Sequence, residues 1–143
     1  MADQAILDLT DDERAWIREQ HARASDLATE YTGRRESLPS LETLAATFAA
    51  WGQSDKLERP EANGVVLALG TAFGQHLANG LNLRWVVVSD EQGTDFALHG
   101  QPGDILAYPI SSIAKRCERQ EFNCFTLLYE LLRRDIEKRR EQG

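Results

Sequence analysis

Between Pro60 and Gly80 the chain carries Val65, Val66, Leu69, Ala72, Phe73, His76 and Leu77, and these residues cover more than one face of a helix. A helix that is apolar this widely has to be enclosed, so other elements must lie on at least two of its sides. Pro60 suits the first turn, where its missing N–H loses no bond, and Gly80 suits the stop. Gly64, Gly70 and Gly74 each cost about 1 kcal/mol relative to Ala inside a helix. They make sense if another element approaches the backbone closely on that side. The rest of the chain must therefore supply walls around a central helix.

The upstream sequence supplies two helices. Thr10-Asp-Asp-Glu13 is a capping box, and the helix it opens runs from about Asp11 to Thr32 and stops at Gly33. Ile17, His21, Ala24, Ala28 and Tyr31, with Trp16 and Leu27 alongside, form its inward stripe. Ser40 is placed to cap a second helix from Leu41 to about Gly52, with Leu41, Leu44, Phe48 and Trp51 as its seam.

Downstream of Gly80 the period changes to two. Leu83, Trp85 and Val87 face one way, Val86 and Val88 the other. Asp90-Glu-Gln-Gly93 reads as a hairpin connection, Thr94 to His99 as a second strand, and Asp104 to Tyr108 as a third. Pro109 ends the sheet, Ser111 or Ser112 is placed to cap a short helix to about Gln120, and Asn123 to cap a last helix with Phe125, Leu128, Leu132 and Ile136 inward. The expected class is α+β: three N-terminal helices, a three-stranded antiparallel meander and two C-terminal helices. At 143 residues the chain reads as one globular domain over 1–143.

The net charge is −7 and unevenly placed. Residues 1–110 carry 17 acids against 8 bases, and residues 111–143 carry 6 against 8. Most of the chain repels phosphate, which disfavours nucleic acid as a partner. The C-terminal cations Arg133, Arg134, Lys138, Arg139 and Arg140 read as complements to a helix dipole. There is no basic, apolar leader at the start and no apolar run near the roughly 20 residues that span a membrane. With only Cys117 and Cys124 there is no disulfide framework, so a reduced, cytoplasmic setting is expected.

Motifs that carry chemistry are scarce. His21, His76 and His99 lack the spacing of a metal-ligand set, and Cys117 and Cys124 have no second ligand pair beside them. No nucleophile elbow, phosphate loop or metalloprotease helix is present, so the reading is non-enzymatic, with no catalytic residue, cofactor or metal. Asp90, Glu91, Asp95 and Asp104 fall at the tips of the meander and are the candidate partner-binding residues. A second acidic patch lies at Asp8, Asp11, Asp12 and Glu13.

The stretch Gly70…Gly74, Leu83-Arg-Trp85-Val-Val-Val, Asp90-Glu-Gln-Gly93-Thr-Asp95 and Tyr108-Pro-Ile-Ser-Ser-Ile113-Ala-Lys-Arg116 resembles the bacterial domain-of-unknown-function family numbered three thousand eight hundred and six. The likeness runs over roughly residues 70–119 and leaves residues 1–60 outside. It implies a small bacterial α+β domain, and it transfers no site residue.

The leading expectation is a bacterial protein-binding domain that meets a basic partner surface, in its sharpest form an immunity-type inhibitor of a basic toxin. A broader adaptor role belongs to the same class. The alternative is a small-ligand-binding domain or enzyme with a site near His76, Trp85 and His99. A self-associating subunit that uses the C-terminal helix is a third reading.

Overall fold

The computed structural model describes residues 4–142. Its elements are β1 (Ala5–Leu7), α1 (Asp11–Thr32), α2 (Leu41–Gln53), α3 (Ala62–Leu81), β2 (Arg84–Asp90), β3 (Gly93–Gly100), β4 (Ile105–Ala107), α4 (Pro109–Glu118) and α5 (Phe125–Gln142). The fold is α+β, with five helices and one antiparallel sheet of order β1-β2-β3-β4. The sheet has four strands, not three. Ala5–Leu7 pairs with Ser89 to Val87 and forms the outer edge. Three residues with polar neighbours are too few to reveal a period of two.

The helix ends follow local chemistry. The Glu13 N–H donates to Thr10 Oγ1 at 3.1 Å and the Thr10 N–H to Glu13 Oε1 at 2.8 Å, which closes the capping box of α1. Gly33 ends α1 at φ 74°, and Ser40 Oγ accepts from the Thr43 N–H to cap α2. Four boundaries differ from expectation. Pro60 lies ahead of α3, which opens at Ala62, and α3 stops at Asn82 (φ 54°), not Gly80. α4 begins at Pro109, and the Ser112 hydroxyl turns back to the Tyr108 carbonyl. At α5 the Cys124 carbonyl takes the first helical bond, so Cys124 and not Asn123 is the cap residue.

α3 is enclosed on all sides. Its Leu69, Phe73 and Leu77 are fully buried in a core that takes Ala24 and Leu27 from α1, Leu44, Phe48 and Trp51 from α2, Leu98 and Ile105 from the sheet, Ile113 from α4, and Phe125 and Ile136 from α5. Phe48 anchors an aromatic cluster, with ring centroids 5.0 Å from Phe122 and 5.7 Å from Phe125. The other sheet face carries a smaller cluster of Val86, Val88 and Ala97, flanked by Ile6, Leu106 and Tyr108. Among the described residues no helix is long and apolar enough to cross a membrane.

Gly70 and Gly74 have the expected reason, whereas a Cβ at Gly64 would meet only the end of the Arg23 side chain, at 3.1 Å. A Cβ at Gly70 would stand 2.9 Å from the Ile110 Cα, and one at Gly74 would stand 2.7 Å from Pro109 Cγ and 2.6 Å from Trp85 Cζ2. These two positions let α4 and the Trp85 indole lie directly on α3. Gly80 serves the same end against the Tyr129 hydroxyl. At the far end of α3, Arg140 donates to the Leu81 carbonyl at 2.5 Å and the Asn82 carbonyl at 3.3 Å, so α5 closes the C-terminus of α3 with a positive charge.

Gly74→Ala tests this packing. Alanine gains about 1 kcal/mol of helix propensity over glycine, but overpacking against Trp85 and Pro109 costs about 1–3 kcal/mol. The expected result is a lower urea midpoint. A midpoint above that of the parent would show that Trp85 and Pro109 do not press on α3 at Gly74.

Candidate functional site

The four candidate carboxylates do not form one cluster. Asp90, Glu91 and Asp95 share the β2–β3 hairpin end, where Asp90 pairs with Gly93 and its Oδ1 accepts from the Gln92 N–H at 2.8 Å. Asp104 sits in the β3–β4 turn at the opposite end of the sheet. Successive turns of a meander alternate ends, which the grouping by sequence overlooked. Asp104 Oδ1 lies 2.7 Å from His99 Nε2 and is engaged there. Asp90, Glu91 and Asp95 are exposed, and among the described residues none has an ion-pair partner. Three of the four N-terminal acids are engaged: Asp8 pairs with Arg84, Asp11 with Arg14, and Glu13 closes the capping box, while Asp12 is exposed in the first turn of α1. The Arg84 guanidinium holds the Asp8 carboxyl below its ordinary range.

His76, Trp85 and His99 also go separate ways. His76 Nε2 lies 2.7 Å from the Pro39 carbonyl, a bond in which the imidazole is the donor, and it ties the α1–α2 connection to α3. Trp85 Nε1–H donates to Gln75 Oε1 at 3.1 Å. Trp85 pairs with Leu98 and Arg84 with His99, so His99 points to the sheet face opposite Trp85. None of the main concavities among the described residues is lined by the three together. Nor do any three His, Cys, Asp or Glu side chains there stand as a metal-holding group.

Two concavities stand out instead, each of about 580 Å³. The first is a groove along the free edge of β3. β4 pairs only with Leu98, His99 and Gly100, which leaves Gly93–Ala97 without a neighbour on that side. Its lining includes the consecutive residues Gln92–Asp95 and Leu106–Tyr108. Neighbouring strand residues point to opposite faces, so a run of consecutive residues means that the groove follows the strand edge. Ser111, Ser112 and Lys115 of α4 and Leu132, Asp135, Ile136 and Arg139 of α5 form the facing wall. Asp135 and Arg139 pair with each other at 3.2 Å. Asp90 and Asp95 lie on the groove lining, which joins the acidic hairpin to the groove.

The second concavity lies between the end of α2, residues 54–61, the start of α3 and the end of α4. Trp51, Val66, Ala114 and Phe122 give it apolar walls, with Lys56, Arg59 and Cys117 also lining it. In the sequence, residues 53–59 read as a polar connection, and nothing in their order marks a cavity. The thiols differ: burial pushes the Cys117 thiol up, and pushes Cys124 up to about 11.

The model of a family described as a domain of unknown function, DUF3806, matches residues 45–127. The chain belongs to the DUF3806 family. The matched stretch begins inside α2, earlier than the resemblance over 70–119 indicated, and takes in α3, β2 to β4, α4 and the first residues of α5. All residues lining the second concavity fall inside the DUF3806 match, whereas the α5 wall of the groove lies beyond it. No curated protein and no solved structure matches the chain.

One titratable group is poised to report on the fold. Burial holds the His21 imidazole below its ordinary 6.5, with the Gln75 amide acting weakly in the other direction, and its Nδ1 has no hydrogen-bond partner. The unfolded chain therefore takes up this proton at a higher pH than the folded one, and acidification favours unfolding below about pH 6.5. The urea midpoint is expected to fall between about pH 7 and pH 5.5, and His21→Leu should flatten that fall. The same slope in the variant would exclude His21 as its source.

Proposed function

We propose that this DUF3806 protein is a non-enzymatic protein-binding domain that receives an extended, basic segment of a partner in the groove along β3. The observation that carries this reading is the unpaired strand edge at Gly93–Asp95, lying in a groove whose hairpin end bears Asp90, Glu91 and Asp95. An open edge presents backbone N–H and C=O groups that an incoming strand satisfies, so it binds backbone without regard to sequence. The carboxylates add the selection: they raise the encounter rate with a cationic segment and disfavour an acidic one.

Within this class, the sharpest version is an inhibitor of a toxin with a basic surface, on the analogy of an acidic chain without catalytic motifs, beside a broader adaptor role. A cytoplasmic setting goes with this reading and is supported by two free thiols, Cys117 and Cys124.

Co-expression with the products of adjoining genes, followed by calorimetry on any complex that forms, tests the proposal. The expected partner is basic, and its affinity falls about tenfold or more when Asp90 and Asp95 are both changed to Lys. Within residues 93–95, the amides that point away from β2 should gain protection from hydrogen exchange in the complex. No complex with an adjoining product, or one indifferent to the double charge reversal, would overturn the reading.

A further inference from the structure

We propose that the second concavity, between α2, α3 and α4, is a binding site for a small amphipathic carboxylate. This inference is independent of the groove and its partner. The body of such a ligand is met by Trp51, Val66, Ala114 and Phe122. The Phe122 ring is fixed in place, because it lies against the backbone of Gly52 where a Cβ would come within 2.7 Å. A volume of about 580 Å³ is that of a small-molecule site and too small for a protein domain.

The polar end of the ligand is met by Arg59. Its guanidinium carbon stands 4.0 Å from the centre of the Trp51 ring, and one of its terminal nitrogens donates to the Trp51 and Gly52 carbonyls, both at 3.0 Å. These contacts hold the guanidinium against the last turn of α2. Among the described residues its Nε and second terminal nitrogen have no acceptor. Two N–H donors on one edge of a guanidinium match the two oxygens of a carboxylate. Lys56 adds a second cation, and Glu118 is the single acid on the lining, so the cavity is net positive by one charge in a chain of net charge −7. A monoanion fits that balance. A dianion would exceed it, and a cation would face Lys56 and Arg59.

Cys117 lines the cavity and supplies the readout, while Cys124 is the internal control because it is buried with its thiol at about 11. The full chain is treated with a maleimide while decanoate is titrated below its micelle concentration, and each cysteine is followed by peptide mass spectrometry. Decanoate is expected to slow Cys117 labelling several-fold in a saturable manner, whereas decylamine, with the same tail and a positive head, gives no protection. Lys56→Gln, at an exposed position, and Arg59→Gln should each raise the half-saturating decanoate concentration about tenfold. Ala114→Trp should fill the cavity and abolish the effect. Should Ala114→Trp or Arg59→Gln fail to fold, Lys56→Gln decides. Unchanged Cys117 labelling in the parent, equal protection by decylamine, indifference to Lys56→Gln, or labelling of Cys124 as decanoate rises would each overturn the proposal.

Discussion

Twelve of the twenty residues of α3 are buried, on every side of the helix, and no single neighbour can cover them. The requirement that α3 be enclosed sets the position of every other helix. α1 and α2 take one side, the sheet and α4 another, and α5 runs across to meet both α2 and the end of α3. Where α4 must come closest, α3 has glycine, and Pro109 and Ile110 rest on its backbone. Because only Tyr108 separates β4 from Pro109, drawing α4 onto α3 also pulls the chain off the sheet after Ala107. The short β4, and with it the open edge of β3, is therefore a consequence of how α3 is packed.

Charge is divided in a related way. Along α5, Arg133 lies between Glu130 and Glu137 and Arg139 pairs with Asp135, so these cations are matched on their own helix. Such exposed pairs contribute little stability individually, and among the described residues Arg134 and Lys138, exposed one turn apart, take no part in them. Arg140 acts differently, since it reaches the carbonyls that end α3. Near the N-terminus Glu13 goes to a helix cap and Asp8 to Arg84. At the β2–β3 hairpin the exposed Asp90, Glu91 and Asp95 lie close in sequence, and among the described residues none of them has an ion-pair partner.

Much of this order can be read in the sequence, because helices and caps are local. Thr10 and Glu13 form the capping box that their spacing predicts, and Gly70 and Gly74 mark the close approach to α3. What could not be read depends on parity, on register or on very short segments. β1 is three residues long. His99 and Trp85 look adjacent until the pairing of Trp85 with Leu98 puts them on opposite faces. Asp104 looks like part of the acidic hairpin until the alternation of turns takes it to the other end. The cavity beside Arg59 is least legible, because its walls come from four segments separated by up to 71 positions, from Trp51 to Phe122.

The burial of α3 also has a consequence for synthesis. Its covers come from both sides in sequence: α1 and α2 are made before it, while the sheet, α4 and α5 follow. The Arg140 contact with Leu81 spans 59 positions. When α3 has just been made it has two of its walls, and until residues 125–140 follow it still lacks the side that α5 covers. Long-range closures of this kind slow folding and leave intermediates prone to association. Vectorial folding from the N-terminus therefore ends in a single late step, in which α5 arrives and the exposed flank of α3 is shut.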